Sequence, residues 1–266
     1  MAELISELPV QAQPGAMCIH TSAITDVCLD KDCIEDLNVY LTEDAQALLD
    51  RSSGARARSV ELLTAAIDVE ELGFQRGFFS VDLTFYYRVR GDASAGGVRT
   101  GELDGLAIFR KRVVLCGGQS GTKIFSSAAA PLQIADLPQL PVAIVEVIDP
   151  MVLSTRVLEG SGDAPRELVE IPAQILDLFP QALVTEGDGR RLLITVGQFS
   201  TVRLEREAQL SLTGVRTCIP RKSCCDGADC QEDPCDVFSR IEFPYGAFYP
   251  GDRCEGARTA AESNDQ

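Results

Sequence analysis

The chain has one histidine, no tryptophan and no Cys-x-x-Cys pair in 266 residues, and each shortage removes a class of chemistry. Acyl transfer by a serine or cysteine nucleophile needs an imidazole or another base beside it. The single candidate, His20, stands two residues after Cys18 in a polar stretch with no catalytic motif around it, and is expected to be solvent-exposed. The missing Cys-x-x-Cys removes a thioredoxin-like redox site. Basic residues are also scarce, 24 Lys and Arg against 40 Asp and Glu for a net charge of −16. No basic stripe with interleaved aromatics offsets that charge, which argues against a nucleic-acid partner. Long apolar runs are absent too: residues 142–147 and 192–196 fall far short of the ~20 that span a bilayer, so no membrane partner is expected. At the N-terminus Glu3 and Glu7 stand where a secretory signal would carry basic residues, and no apolar stretch follows them. The expectation is synthesis in a cytosol.

What the chain does have is ten cysteines, unevenly placed. Cys18, Cys28 and Cys33 lie near the start, Cys218, Cys224, Cys225, Cys230, Cys235 and Cys254 crowd the end, and only Cys116 lies between. A chain of this length can bury a sufficient core without disulfides, so the thiols point to stapling, metal binding or cross-linking through the flanks. Zinc signatures use Cys-x2-Cys or Cys-x4-Cys knuckles, each giving two ligands from one turn. Cys225-x4-Cys230 and Cys230-x4-Cys235 are permissive spacings, and metal is the second reading of the C-terminal cluster. Adjacent Cys224 and Cys225 have Cα atoms ~3.8 Å apart, below the ~4.4–6.8 Å of ordinary disulfides, so each should seek a different partner. The acidic loop around Asp226, Asp229, Glu232, Asp233 and Asp236 lacks EF-hand spacing and reads as solvated.

The middle of the chain reads mainly as strands. Residues 79–90 alternate strictly, Val81, Leu83, Phe85, Tyr87 and Val89 on one face and Asp82, Thr84, Tyr86, Arg88 and Arg90 on the other. A glycine-rich turn at 91–97 leads to a second, antiparallel strand over 103–115, interrupted near Arg110 to Arg112. The β-branched run at 142–148 reads as an inner strand, and 192–199 with 202–212 as a long, partly exposed one. Thr42 is a good N-cap for a helix to about Arg51, with Glu43 and Asp44 suiting its positive end; a second helix over 166–179 should be broken by Pro172. With few helices available as crossovers, the expected class is mainly β: an antiparallel sandwich-like or α+β fold with few short helices. Val81, Leu83, Phe85, Ile144, Val145, Val147, Leu204 and Leu210 are the expected core. The glycine loop Gly117-Gly-Gln-Ser-Gly-Thr-Lys123 departs from a Walker A pattern and is expected to be a strand connection.

Several stretches together resemble the cysteine-rich spore-surface (exosporium and spore coat) proteins of clostridia: Cys18-Ile-His-Thr-Ser-Ala-Ile-Thr-Asp-Val-Cys28-Leu-Asp-Lys-Asp-Cys33, Gly77-Phe-Phe-Ser-Val-Asp-Leu-Thr-Phe85, Ala143-Ile-Val-Glu-Val-Ile-Asp-Pro150, Gly197-Gln-Phe-Ser-Thr-Val-Arg-Leu-Glu-Arg206, Cys218-Ile-Pro220 and Asp233-Pro-Cys235. The resemblance implies a structural, self-assembling protein made in the mother-cell cytoplasm without a signal peptide and ending on the spore surface once that cell lyses. Its partners would be copies of itself and other spore-surface proteins. It carries over no catalytic, cofactor-binding or metal-ligating residue, and the protein is not expected to be an enzyme. The nine flanking cysteines are the disulfide and cross-linking candidates. The expected organisation is a cysteine-bearing arm at 1–33, a β core at 34–217 able to fold by itself under reducing conditions, a cysteine-rich segment at 218–255 and a disordered acidic tail at 256–266.

Overall fold

The computed structural model describes residues 17–118, 140–159, 170–187, 189–212 and 234–248. Seven antiparallel strands form one sheet: β1 (Met17–Leu41), β2 (Gly54–Glu71), β3 (Phe78–Ala95), β4 (Val98–Cys116), β5 (Val142–Val147), β6 (Met151–Leu158) and β7 (Arg191–Leu212). Their order is β2-β3-β4-β1-β7-β5, and β6 continues beside β5 along the same edge of β7. The mainly antiparallel β class read from the sequence is the one observed. Rather than dividing into two layers, the sheet curls until β2 approaches β5 and β6, so the fold is a nearly closed barrel.

The curl has local causes. Bulges interrupt β2 between Ala57 and Ser59 and between Leu62 and Thr64, and β1 between Ile24 and Asp26 and between Ile34 and Leu37. Each extra residue bends its strand and steepens the twist. At the β1 bulge Asp36 takes the left-handed conformation, φ 49°, which aspartate tolerates better than most side chains. In β2 the bulges put the N–H groups of Ala57 and Leu62 toward the far edge, where Thr155 Oγ1 accepts from Ala57 at 3.1 Å and Asp149 Oδ1 from Leu62 at 3.0 Å. Among the described residues no backbone ladder joins β2 to β5 or β6. This is the barrel's first seam, and side chains close it.

Val81, Leu83, Phe85, Tyr87 and Val89 of β3 all point inward and are fully buried. The opposing face is not uniformly polar, because Tyr86 is buried under a short helix, α2 (Ala173–Leu176), which brings Ile175 and Phe179 against Tyr40, Tyr86 and Leu106. Pro172 begins this helix instead of breaking one; residues 160–169 lie outside those described. The β3–β4 turn is confined to Gly96 and Gly97, with φ of 60° and 81°, the two left-handed positions a tight hairpin turn requires. Gly91 and its neighbours continue the strand, and β4 is likewise unbroken at Arg110–Arg112. Helix α1 (Glu43–Asp50) follows Thr42 as expected, although the cap is the Thr42 backbone carbonyl and not its hydroxyl. It buries Ala45 and Leu49, and the Arg190 guanidinium donates to the Leu49 carbonyl at 2.9 Å, a cation at the negative end of the helix.

Two expectations are corrected. Residues 142–147 form a strand hydrogen-bonded on one side only, next to the first seam, so Ile144, Val145 and Val147 are half-buried instead of central. Leu204 is buried as expected, while the side chain of Leu210 lies outside the described residues. The boundary between residues 33 and 34 falls inside β1, whose pairing with β7 runs from Met17 to Val39. A chain cut to 34–217 would lose half of a central strand, so the arm is part of the barrel.

Candidate functional site

Inside the barrel, one patch is not apolar. On β1 the inward positions are Cys28, Asp30, Asp32 and Ile34, which face Val202, Ser200, Gln198 and Val196 across the β1–β7 ladder. On β4 the inward series Leu103, Gly105, Ala107, Phe109, Lys111, Val113 and Leu115 places Lys111 directly opposite Leu83. The two strands meet in a ladder only where Val39–Leu41 pairs with Gly105–Ala107. Gly105 permits that approach, since a Cβ there would lie 2.7 Å from the Tyr40 carbonyl oxygen. Toward the N-terminus the Ile34/Leu37 bulge turns β1 aside, and the strands are bridged by side chains. Lys111 Nζ donates to Asp30 Oδ2 and, at 2.8 Å, to Asp32 Oδ2. Asp26 Oδ2 accepts from the Cys116 N–H at 3.0 Å. This is a second seam, and it is ionic.

The cluster is dry. The side chains of Asp30, Lys111 and Asp32 keep 2%, 11% and 14% of their surface. Charges are almost never buried this deeply unless paired, and one ammonium faces two carboxylates. Burial pushes the Asp32 carboxyl up to about 7. Asp30 Oδ1 also accepts the Lys31 N–H at 2.8 Å. Next to them Tyr87 Oη donates to Gln198 Oε1 at 2.5 Å. Burial, then the Asp32 charge, raises the Tyr87 phenol well above its ordinary value and keeps it a neutral donor. Gln198 Nε2 and Ser200 Oγ are buried with no hydrogen-bond partner. Desolvated donors of this kind ordinarily find a partner, and these two lie across the ladder from Asp32 and Asp30.

The thiols are divided between the barrel wall and segments outside the described residues. Cys33 is disulfide-bonded to Cys235, their Cα atoms 5.5 Å apart, within the normal range, and Cys28 is also in a disulfide. Cys116 has a free, half-buried thiol at the end of β4. Cys18 lies on β1 with its side chain outside the described set, and Cys218, Cys224, Cys225, Cys230 and Cys254 fall entirely outside it. His20 is exposed, 3.7 Å from Glu207. Of the glycine loop, only Gly117 and Gly118 are described. Gly117 is there for packing, because a Cβ would lie 2.6 Å from the Phe79 ring.

The Cys33–Cys235 bond belongs to a docking arrangement on the outer wall. Cys235 lies in a short helix, α3 (Pro234–Ser239), and a second, α4 (Tyr245–Phe248), follows. Phe238 is fully buried against Phe199, ring centroids 4.8 Å apart, and over the bare backbone of Gly197. Lys31 lies over the Phe238 ring and donates to the carbonyls of Ser239 and Ile241 at 2.6 and 2.7 Å.

No protein-family model, curated protein or solved structure matches this chain. Sequence reasoning had assigned the thiols and passed over Lys111, Asp30 and Asp32. The signal existed: a lysine within an otherwise apolar alternating series and two aspartates alternating with Cys28 and Ile34.

Proposed function

We propose that the protein is a structural building block of a spore surface layer, assembling with copies of itself and stabilised by disulfides within and between chains. The Cys33–Cys235 bond carries this reading. It closes a loop spanning 202 residues, a constraint worth about 5 kcal/mol in the chain-entropy account, more than a protein remaining in a reducing cytosol would use. It also commits Cys235 as a disulfide sulfur, which removes one thiolate from any metal site built on the C-terminal cluster. The further thiols at Cys224, Cys225 and Cys230 follow one another closely just ahead of this anchored residue, which suits contacts with a neighbouring copy.

The test compares oxidised full-length protein on reducing and non-reducing gels, with negative-stain electron microscopy and metal analysis of the same sample. A ladder of multimers that collapses with reductant, together with ordered sheets or filaments, is the expected result. Replacing Cys218, Cys224, Cys225, Cys230 and Cys254 by Ser, with Cys33–Cys235 left intact, should remove the ladder, and a cooperative melt of the same variant checks that the barrel still folds once any bond from Cys28 to this segment is lost. An oxidised protein that stays monomeric, or that retains stoichiometric zinc through dialysis, would overturn the assembly reading.

A further inference from the structure

The ionic seam holds the components of a condensation reaction. An amine and a carboxyl group are in hydrogen-bond contact, Lys111 Nζ with Asp30 Oδ2, on two strands whose ladder has ended. A second carboxylate, Asp32, is 2.8 Å from the same nitrogen. The surroundings are apolar: Leu83, Phe85, Tyr87, Val113, Ile34 and Cys28 belong to the continuous core of the barrel. Across the ladder from the aspartates, Ser200 Oγ and Gln198 Nε2 are buried donors with no acceptor. A merely structural ion pair accounts for the lysine and one aspartate. It does not account for the second carboxylate on the same ammonium or for two unused donors beside it.

We propose that Lys111 and Asp30 join through an intramolecular isopeptide bond, with Asp32 transferring the protons, so that the seam between β1 and β4 is closed covalently. In a dry site the ion pair relaxes to a neutral amine and a neutral acid by moving one proton along the Lys111–Asp30 hydrogen bond, because burial penalises the charged forms. The Nζ lone pair attacks Asp30 Cγ and the C–N bond forms. Asp32 takes a proton from the nitrogen and delivers it to the departing Asp30 oxygen, the general base and then the general acid of the same step. The Cγ–O bond breaks and the oxygen leaves as water. Carboxylate plus ammonium gives amide plus water, charge is conserved, Asp32 ends as it began, and no oxidant or cofactor is consumed. Ser200 and Gln198 supply donors for the oxygen that carries negative charge in the tetrahedral intermediate. Amide formation is unfavourable in water. Here the reactants are held together at an effective concentration on the order of 10⁵ M or more, and the product replaces a buried ion pair by a neutral group.

The experiment is intact-mass spectrometry of the folded full-length chain, fully reduced and denatured just before measurement so that disulfides contribute nothing. The expected mass is one water below that of the sequence, and a digest should contain a branched peptide joining the β1 segment at Asp30 to the β4 segment at Lys111, uncleaved by trypsin after Lys111. Lys111→Arg and Asp30→Ala should have the full sequence mass. Asp30→Asn is the conservative check on folding: it should lose ammonia instead of water and finish at the wild-type mass. Asp32→Asn should fold and remain unreacted; a water loss in that variant equal to wild type would overturn the role given to Asp32. Full mass in a cooperatively melting wild-type protein after days at neutral pH, or a water loss without the branched peptide, as a succinimide would give, would overturn the bond. The readout is taken on reduced single chains, so it is independent of whether the protein assembles.

Discussion

The barrel has two seams, closed in opposite ways. Between β2 and the β5–β6 edge, Thr155 and Asp149 accept from amides that the β2 bulges expose, one neutral hydrogen bond and one charge-assisted, both near solvent. Between β1 and β4, a lysine and two aspartates do the bridging in the interior. Hydrogen bonds of the first kind contribute about 0.5–3 kcal/mol each, whereas removing one partner from a buried charge cluster costs about 3–5 kcal/mol, because the charges left behind have lost their solvent and their counter-ion. The first seam tolerates damage by rehydrating. The second is too deeply buried to rehydrate as readily.

The sharpest way to break this contrast is Lys111→Ala, which leaves Asp30 and Asp32 facing each other in the core. It should lower stability by about 3–5 kcal/mol, read as a shift of the urea midpoint. A loss below about 1 kcal/mol would show that the cluster is hydrated and the contrast false.

The second test is pH. Asp32 has its carboxyl raised by burial from its ordinary 3.8 to about 7. The folded chain therefore binds that proton more tightly than the unfolded chain. The stability this confers is fully present below about pH 4 and is lost as pH rises through 7, at most about 4 kcal/mol. Other carboxylates act the other way: Asp82, held low by its hydrogen bonds with Arg112, and Asp92, held low by Arg58 and Arg99, favour the fold at higher pH. The measurable quantity is the wild-type curve minus that of Asp32→Asn, which should fall between about pH 4 and pH 7. A flat difference curve would mean that Asp32 is solvated. The direction is the same with or without the covalent bond, since burial is the cause.

A smaller effect is expected at Gly105, where β1 and β4 still touch. Gly105→Ala drives a methyl group into the Tyr40 carbonyl and Val39, at a cost of about 1–3 kcal/mol. Amide exchange should quicken in Val39–Leu41 while Ala57 and Leu62 at the other seam are unaffected. The smallest effect belongs to the first seam itself. Thr155→Val removes the acceptor for the Ala57 N–H and should cost about 1 kcal/mol, with no change in pH dependence. If Thr155→Val cost as much as Lys111→Ala, the two seams would be energetically alike.

How much of this was legible in the sequence depended on strand phase. β3 was read residue by residue because its alternation is unbroken over 79–90. β1 and β2 were missed because each carries two bulges, and every bulge moves the following side chains to the other face, so no period-2 signal lasts more than a few residues. β2 also contains Glu61-Leu-Leu-Thr-Ala-Ala-Ile67, residues with good helix propensity that tertiary pairing with β3 overrides. Lys111 was visible but misjudged: Arg110-Lys111-Arg112 reads as an interruption of β4, yet Arg112 points outward to Asp82 while Lys111 points inward. The partners of a buried charge come from another strand, and spacing along the chain does not reveal them. The Cys33–Cys235 pairing was hidden for the same reason.

That pairing also has a mechanical consequence. Cys33 is in the middle of the first strand and Cys235 follows the last, so the bond short-circuits the strands between them. Tension applied to the two ends of the chain would run along β1 to Cys33, cross the sulfurs, and leave through the C-terminal segment. The hairpins and the β2 edge would carry almost none of it, whereas the ionic seam, whose Asp30 and Asp32 lie between Met17 and Cys33, would be loaded. Among the described residues the loaded path is at most Met17–Asp32 of β1, with its rungs to β7 and its contacts with Lys111, and the second disulfide at Cys28 can only shorten it. Under such a load this barrel would behave as a rivet, extending by little more than the peeling of one half-strand before covalent bonds took up the load.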